Sequence, residues 1–346
     1  MKVRQFIPAI LFGIGVLFFA SCDLGGDNPP ITQNDYSKGV FVVNEGPFGG
    51  TGTITWYNPD NGEAVQDVFG IENGGTLGQF AISLAFHNGK GYICVTSVNL
   101  LVVVDQTTFR FLDTIGGLIQ PRFFQAIDDD YAYVSQWGKD GIDGSVAKID
   151  LKTNQIVKVI PTGKGPEKMF LKDANTLLVA NSGGFDVDST ISVIDLVSET
   201  ETSRTTVGGK APCCFAKANF TGANPWVLCK GTFDAAMEPG FLDKFDPPGS
   251  GFTVPNNADD LCSSPAGNQL YYIGDGKVWA ANQFAVSELF SQPAYGLACH
   301  PSNGNLYCAD PKGFSAAGEV VIYNPGGVKV GSFATGIGPG EIIIVE

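Results

Sequence analysis

The sequence predicts an all-β fold, a seven-bladed β-propeller, and the first evidence is a repeated motif. In this motif a turn residue precedes a short run of β-forming residues that ends in Asp or Asn. The motif occurs at residues 52–58, 99–105, 144–150, 189–195, 240–246, 276–282 and 318–324. Its final Asp or Asn recurs at intervals of 47, 45, 45, 51, 36 and 42 residues. A β-type repeat of about 40–45 residues is typical of propeller blades.

Composition is the second observation. The 346 residues include 45 Gly and 20 Pro, 44% are hydrophobic and only 16% are charged. Many turn residues with little charge favour a β fold with tight turns and exclude an intrinsically disordered chain. The length alone would suggest two domains. The repeat instead predicts one ring, because each unit buries its apolar face only against a neighbouring unit.

Each repeat is predicted to contain four strands. The second strand is a short apolar run, the third is the repeated motif, and the fourth leads to a glycine-containing link. The predicted second strands are residues 41–43, 92–95, 131–134, 177–179, 226–228, 270–273 and 306–308. Alternating residues between turn signals support strands. No segment predicts a long helix.

The third observation concerns the first repeat and the C-terminal residues of the chain. The first repeat lacks a first strand of its own, and residues 341–345 form an apolar run with no repeat after it. We therefore predict that the C-terminal strand pairs into the first blade. That pairing closes the ring and leaves no open strand edge.

The N-terminus predicts a lipoprotein signal peptide over residues 1–21. Lys2 and Arg4 precede an apolar run at 7–20, and Ala20 and Ser21 stand before Cys22. Small residues before a cysteine resemble the bacterial lipobox, which implies cleavage before Cys22 and lipid attachment to its sulfur. A plain cleaved signal peptide is the alternative. Residues 22–38 are interpreted as the lipidated cysteine with a flexible tether, and residues 39–346 as the propeller.

The charge of the chain limits its partners. The formal net charge is −14, and removal of residues 1–21 makes it −16. Such a surface repels nucleic acids and anionic lipid headgroups, so neither is an expected partner. The expected contact with a membrane is through the lipid on Cys22.

Seven cysteines follow Cys22, and two pairings are considered. Cys299 and Cys308 flank one predicted hairpin, and Cys214 and Cys229 flank another. Either pair could form a disulfide in an exported protein, and small buried thiols are the alternative. The remaining cysteines are Cys94, Cys213 and Cys262. Because the number is odd, at least one thiol stays outside any internal pairing.

Long loops are predicted between the second and third strands of five blades, all at one end of the ring. Each of the five loops carries one aromatic residue, and these are Phe48, Trp137, Phe185, Phe233 and Phe314. We predict that they form a binding rim for a large, partly apolar ligand. The alternative is that each ring packs onto its own loop. Arg122, Lys168, Lys210 and Tyr295 lie in the links at the same end, and Arg122 and Tyr295 join the predicted ligand site.

The sequence predicts neither a metal site nor a catalytic residue. Asp186 and Asp188 lie in a glycine-rich loop, as do Asp140 and Asp143, but neither loop has the ligand spacing of an EF-hand. These residues are interpreted as turn-stabilising. The repeated Asp or Asn of each motif is interpreted in the same way. His87 and His300 fall in turns at the end opposite the long loops, which disfavours a histidine-assisted nucleophile on the loop face.

Residues 297–307 and 172–181 resemble the YVTN-type propeller repeat. Together with the lipoprotein start and Val43-Asn44-Glu45-Gly46, they are similar to the surface propeller lipoproteins of Bacteroidetes, such as the BtuG-type cobalamin-binding propellers. The resemblance implies a non-enzymatic protein at the outer membrane, anchored on the cell surface. Such a protein would capture cobalamin or a related corrinoid and deliver it to a TonB-dependent outer-membrane barrel. It implies no individual contact residue. Two alternatives remain open, a protein- or glycan-binding scaffold and a metal-dependent lyase or hydrolase.

Overall fold

The computed structural model of this protein describes residues 34–221, 224–234 and 236–346. Over these residues the backbone forms seven antiparallel sheets of four strands each. The seven-bladed propeller predicted from the repeat is thereby confirmed.

The strands follow the chain order within each blade, apart from blade 1. Blade 1 contains β1 (Gly39–Asn44), β2 (Thr53–Tyr57), β3 (Ala64–Val65) and β28 (Pro339–Val345). Blade 2 contains β4 (Ala81–His87), β5 (Lys90–Val95), β6 (Leu100–Asp105) and β7 (Phe111–Ile115). Blade 3 contains β8 (Pro121–Ala126), β9 (Tyr131–Gln136), β10 (Ser145–Asp150) and β11 (Gln155–Pro161). Blade 4 contains β12 (Pro166–Asp173), β13 (Thr176–Asn181), β14 (Thr190–Asp195) and β15 (Thr200–Thr206).

The remaining three blades have the same organisation. Blade 5 contains β16 (Pro212–Ala216), β17 (Trp226–Cys229), β18 (Gly240–Lys244) and β19 (Phe252–Val254). Blade 6 contains β20 (Asp259–Ser263), β21 (Leu270–Gly274), β22 (Lys277–Ala281) and β23 (Val286–Ser291). Blade 7 contains β24 (Gly296–Cys299), β25 (Leu306–Asp310), β26 (Ala317–Tyr323) and β27 (Lys329–Ile337).

The C-terminal strand closes the ring as predicted. Strand β28 pairs antiparallel with β1, with Val40 opposite Ile344 and Val42 opposite Ile342. It thereby serves as the innermost strand of blade 1, a strand that the described residues before β1 (34–38) do not form. Because the pairing covers the edge of β1, blade 1 has four strands like the other blades, with β28 at its inner edge.

The hydrophobic core is divided among the seven junctions between neighbouring blades. Each of seven buried clusters combines residues from two adjacent blades. Between blades 2 and 3, for example, the rings of Tyr92 and Phe124 stack with centroids 4.3 Å apart. The second strands are buried on both faces because each lies between two blades. This explains why they read as continuous apolar runs.

The Asp or Asn that ends each third strand caps its own turn in six of the seven blades. Asp105 Oδ1 accepts hydrogen bonds from the Thr107 and Thr108 N–H groups at 3.1 and 2.8 Å. The equivalent bonds form at Asn58, Asp150, Asp195, Asn282 and Asn324. At Asp246, the structure gives a 3.5 Å bond from Asn224 Nδ2 instead. The repeated residue is therefore a structural one, as predicted.

Helical structure is limited to short connections among the described residues. Helix α1 (Val68–Asn73) lies in the link from blade 1 to blade 2, and Asp67 Oδ1 caps it by accepting from the Gly70 N–H at 3.1 Å. Six residues are too few to produce a helical periodicity in the sequence. No helix in the described part of the chain is long and apolar enough to cross a bilayer.

The compact unit spans Asp35–Glu346 and so begins before the predicted boundary at residue 39. Tyr36 is fully buried, and its ring contacts Trp56 edge-on with centroids 5.2 Å apart. Its hydroxyl donates to Glu72 Oε1 at 2.9 Å. The end of the predicted tether is therefore packed against blade 1. The predicted signal peptide, Cys22 and residues 23–33 lie outside the described residues.

All seven cysteines among the described residues are free thiols. The register explains why neither considered pair is bonded. Cys299 lies opposite Leu306, and Cys308 lies opposite Leu297. Cys214 likewise lies opposite Leu228, and Cys229 lies opposite Pro212. The alternative of buried thiols therefore describes the structure, and five of the seven cysteines are buried.

Candidate functional site

The loops that carry the five aromatic residues all lie at one end of the ring, which we call the loop face. Each innermost strand begins where the second strand of its blade ends, because the two are antiparallel. The long loops and the starts of the innermost strands therefore share this end. Phe48, Phe185 and Phe233 are 95%, 72% and 64% exposed, whereas Trp137 is half-buried. The rings do not all pack onto their own loops.

Phe185 is exposed and at the same time held in place by close backbone packing. Its ring lies against the Cα of Gly141, where a Cβ would overlap it. Gly184 approaches the Gly141 carbonyl and Gly165 approaches the Gly184 N–H too closely for any side chain. The loops of blades 3 and 4 are thus in direct backbone contact, and glycine is required at the contact points.

Trp137 and Arg122 form one unit with a buried carboxylate that the sequence analysis did not identify. The Arg122 guanidinium carbon lies 4.3 Å from the centre of the Trp137 ring. Glu167, only 7% exposed, accepts from Trp137 Nε1 at 3.1 Å and lies 3.2 Å from an Arg122 nitrogen. Trp137 also contacts Phe185 edge-on, with centroids 5.4 Å apart. Glu167 therefore joins Trp137 to Arg122, and Phe185 joins this group through its contact with Trp137.

Tyr295 and Phe314 form a second group, on blade 7. Their rings meet edge-on with centroids 4.9 Å apart. The Tyr295 hydroxyl donates to Glu45 Oε1 of blade 1 at 2.8 Å. Burial raises the pKa of Glu45, although the Tyr295 hydroxyl opposes this effect. Burial also raises the pKa of Tyr295, so the phenol is protonated and donates at neutral pH.

The other two predicted aromatic residues lie apart from these groups. Phe233 and Met237 line an open cavity of about 710 Å³, together with Pro255, Asn256 and Asn257. Phe48, at the tip of its loop in blade 1, is almost completely exposed. The structure therefore resolves the predicted rim into two ordered groups and two separate exposed rings.

A small polar cavity of about 80 Å³ lies at the centre of the loop face, and we call it the central opening. Its charged lining residues are Glu45, Arg122, Glu167, Lys168, Lys230, Asp259, Asp260 and Glu341. Ile82, Phe123, Cys213, Cys214, Tyr295 and Gly340 complete the lining. Three cationic groups face five carboxyl groups, which leaves two negative charges in excess when all are ionised.

Irregular strand pairing places these residues at the opening. In six of the seven blades the innermost strand changes register near its first residue. The extra residues at these bulges include Arg122, Glu167, Cys213 and Asp260, and all four line the central opening. Bulges change the direction of a side chain and are frequent next to functional sites.

Lys168 joins three blades across the opening. Its Nζ lies 2.7 Å from Asp260 Oδ1 and 3.8 Å from Glu341 Oε1. Burial disfavours the charge on Lys168, but Asp260 and Glu341 outweigh it and hold the pKa of the ammonium group well above its usual value. Burial raises the pKa of Glu341 to about 7, and Lys168 only partly opposes this effect.

Lys230 and Asp259 form a second ion pair, which is half-buried, at 2.7 Å. Burial alone would raise the pKa of Asp259, yet Lys230 outweighs it and lowers that pKa. Two chain amides also bind the opening's carboxylates: the Leu297 N–H donates to Asp260 at 2.9 Å, and the Leu84 N–H donates to Glu341 at 3.2 Å. The opening is therefore a preorganised charged network rather than a set of mobile surface side chains.

A sequence signal for most of this opening exists in the links. Proline begins the innermost strand in four blades, and the next two residues reach the opening. These segments are 121–123, 166–168, 212–214 and 339–341. In each, the residue before proline has a positive φ, at Gln120, Gly165, Ala211 and Gly338. The repeated proline marks these ring-lining positions, and they include two of the four link residues selected from the sequence, Arg122 and Lys168.

A family profile described as "Domain of unknown function (DUF5074)" matches residues 38–219, which is more than half of the chain. The chain belongs to the DUF5074 family. The profile match ends at residue 219, within blade 5, and therefore includes the positions of Arg122, Glu167 and Cys213. No curated protein sequence matches this DUF5074 chain.

Solved structures share the fold of this DUF5074 protein at low sequence identity. A quinonprotein alcohol dehydrogenase-like protein from Bacteroides thetaiotaomicron is 17% identical with a TM-score of 0.66, covering 90% of this chain and 79% of its own. A functionally unknown protein from Desulfotomaculum acetoxidans is 15% identical with a TM-score of 0.66, covering 89% and 99%. A putative 6-phosphogluconolactonase from Bacteroides fragilis is 11% identical with a TM-score of 0.62, covering 90% and 98%. These similarities establish a shared fold and no shared activity.

Proposed function

We propose that this DUF5074 propeller is a ligand-capture protein that binds a large, partly apolar small molecule on its loop face. The observation that carries the proposal is Phe185, which is 72% exposed yet fixed by glycine contacts between two loops. An exposed aromatic ring that is already ordered loses little conformational entropy on binding. Because most of the Phe185 ring faces solvent, it contributes little to the hydrophobic core and is available to contact a ligand.

The dimensions of the loop face favour a ligand that spreads over it. The central opening holds about 80 Å³, enough for a terminal polar group but not for a large molecule. The remainder of the ligand would lie over the surrounding loops and contact Phe185, Phe48 and Phe233. Cobalamin or a related corrinoid is the first candidate, since it combines a large apolar ring with amide arms and a phosphate. The amides suit the carboxylates of Glu45 and Glu341, and the phosphate suits Arg122.

The cellular role follows from the resemblance to surface propeller lipoproteins. In this proposal Cys22 carries the lipid anchor at the outer membrane, and the propeller delivers its ligand to a TonB-dependent barrel. Binding without catalysis is part of the proposal. It is supported by the position of the histidines, since His87 and His300 fall in turns at the end opposite the loop face. His300 lines a different cavity, of about 740 Å³, where its Nδ1 lies 3.2 Å from Glu346.

Calorimetric titration with cobalamins tests the proposal. We expect micromolar or tighter binding, and a loss of at least tenfold in the Phe185→Ala variant. The matched control is Phe284→Ala, because Phe284 is 80% exposed but follows the third strand of blade 6, at the opposite end. Absence of heat with every cobalamin tested would exclude the corrinoid assignment. Equal binding by the Phe185→Ala and Phe284→Ala variants would show that the ligand site does not include Phe185 and the loop face around it.

A protein or glycan partner is the second candidate, and the open cavity beside Phe233 and Met237 favours it. Both side chains are exposed, at 64% and 59%, and an exposed apolar patch of this kind fits a macromolecular partner. Affinity capture with the parent, Phe233→Ala and Phe185→Ala proteins separates the candidates. A partner lost in Phe233→Ala, with no corrinoid binding by the parent, would favour this second function.

A further inference from the structure

Cys213 and Cys214 are consecutive residues at the start of β16, yet their sulfur atoms lie 3.0 Å apart. In a regular strand, consecutive side chains lie on opposite faces. Here the register shifts between Pro212 and Cys214, and Cys213 is the extra residue of the bulge. The bulge therefore explains how two neighbouring thiols come to the same side of the strand.

Both thiols belong to the lining of the central opening. Cys213 is 5% exposed and Cys214 is 1% exposed, so only a small molecule that enters the opening can reach them. The Cys213 thiol also donates to the Leu228 carbonyl oxygen at 3.4 Å, so it contacts both Cys214 and the neighbouring strand β17. The two sulfurs are thus held together before any reaction occurs.

We propose that Cys213 and Cys214 are a thiol–disulfide couple that closes to a vicinal disulfide when a small hydroperoxide enters the central opening. This assigns an oxidative modification site to the loop face. It does not depend on which ligand the face binds.

The reaction balances with hydrogen peroxide as the oxidant. The thiolate of Cys213, the less buried residue, attacks one peroxide oxygen, the O–O bond breaks and hydroxide leaves, giving a sulfenic acid. The Cys214 thiol then attacks that sulfur, the S–S bond forms, and the sulfenic oxygen leaves as water. The hydroxide takes up the proton that Cys213 lost on ionisation. The two sulfurs together lose two electrons, and the peroxide is thereby reduced to two molecules of water.

Geometry predicts that the closed form is easily reduced. Adjacent Cα atoms are about 3.8 Å apart across a trans peptide, below the range of about 4.4–6.8 Å in ordinary disulfides. The small ring that the disulfide would close with the backbone between Cys213 and Cys214 is therefore strained. Strained disulfides are the ones that thiols reduce readily. Burial raises the pKa of Cys213, against the opposing effect of Lys230, so closure should be faster at alkaline than at neutral pH.

The chain offers a direct assay, because trypsin cleavage after Lys210 and Lys217 releases residues 211–217. This peptide contains both cysteines and no other. The purified protein is treated with hydrogen peroxide at pH 7 and pH 9, blocked with N-ethylmaleimide, digested and analysed by mass spectrometry. We expect a peptide lighter by two hydrogen atoms and free of maleimide, more of it at pH 9. After dithiothreitol it should carry two maleimides.

Two variants serve as controls, each checked for folding by circular dichroism. Cys262→Ser lies outside the pair and should leave closure unchanged. Cys213→Ser should abolish closure and leave Cys214 reduced and labelled by maleimide. The proposal is overturned if both cysteines of the parent remain maleimide-labelled after peroxide. It is also overturned if the peptide cross-links to residues 218–230 through Cys229, or carries only sulfinic and sulfonic acids.

Discussion

The Lys168 ammonium group of blade 4 lies 2.7 Å from Asp260 Oδ1 of blade 6 and 3.8 Å from Glu341 Oε1 of blade 1. One side chain thus connects three blades that are not neighbours. The Arg122–Glu167 pair connects blades 3 and 4, and Lys230–Asp259 connects blades 5 and 6. The polar contacts at the opening therefore act between blades, as the hydrophobic clusters do farther from the axis.

Replacing Lys168 by Met should destabilise the propeller measurably. Asp260 is only 8% exposed and would lose its cation. We expect a loss of about 2 kcal/mol in the free energy of unfolding, between the values for exposed and fully buried pairs, since Lys168 itself is partly exposed. Urea denaturation measures the change. The control is Lys152→Met, whose 2.7 Å pair with Asp130 is exposed and screened by solvent, so this variant should lose much less stability than Lys168→Met. Equal losses of unfolding free energy in Lys168→Met and Lys152→Met would show that the position of Lys168 at the central opening adds no stability.

Glu341 should make stability fall as pH rises toward neutrality. Its pKa is raised from 4.5 to about 7 in the folded protein, so the folded state binds this proton more tightly than the unfolded chain does. The folded protein therefore loses stability from about pH 4.5 to pH 7, by at most about 3 kcal/mol from this group. Glu341→Gln should be more stable than the parent above pH 7, and the difference should shrink toward pH 4.5. Denaturation midpoints at pH 4.5, 6 and 8 test this; a pH-independent difference would contradict it.

Gly184→Ala should separate the loops of blades 3 and 4. A Cβ there meets the Gly141 carbonyl, and the residue has φ of +62°. We expect a cost of about 2–5 kcal/mol, from the left-handed backbone and the overlap together. Gly49→Ala is the matched control, with φ of +80° and no atom near its Cβ, and should cost only about 1–2 kcal/mol. Denaturant midpoints compare the two. If both variants unfold at the same midpoint, the loop contact does not contribute.

Truncation after residue 338 should prevent formation of a soluble monomer. Without β28, strand β1 exposes its inner edge and the Ile342 side chain leaves the cluster between blades 7 and 1. Unpaired edges favour aggregation, so we expect the truncated protein to elute as large assemblies in size-exclusion chromatography. A synthetic peptide of residues 339–346, added during refolding, should restore part of the monomer. A monomeric truncated protein would show that closure through β28 is dispensable.

The blade repeat could be predicted from sequence because each of its signals is local. The Asp or Asn cap, the apolar second strand and the turn glycine all lie within one repeat. The closure by residues 341–345 followed from a missing strand at one end and an extra strand at the other. Phe185 and Trp137 could be selected because loop length and an aromatic residue are both visible in the chain.

The central network could not be predicted from those local signals. Lys168 and Asp260 are 92 residues apart, and Tyr295 and Glu45 are 250 residues apart. Their contact depends on the curvature of the whole ring. Glu167 was missed because a buried carboxylate at a bulge has no distinguishing sequence pattern, although the proline before it repeats. The contact between Cys213 and Cys214 likewise depends on one register shift that alternation alone would not predict.

The division of the hydrophobic core among seven blade junctions has an evolutionary consequence. Apolar burial holds the blades together at a distance from the axis, so inner-strand positions such as Arg122 and Glu167 are not required to fill a core. Descendants of one ancestral ring can therefore exchange these residues one at a time, with each exchange costing an ion pair rather than a packed layer. A single architecture can in this way diversify in what it recognises while its scaffold stays the same.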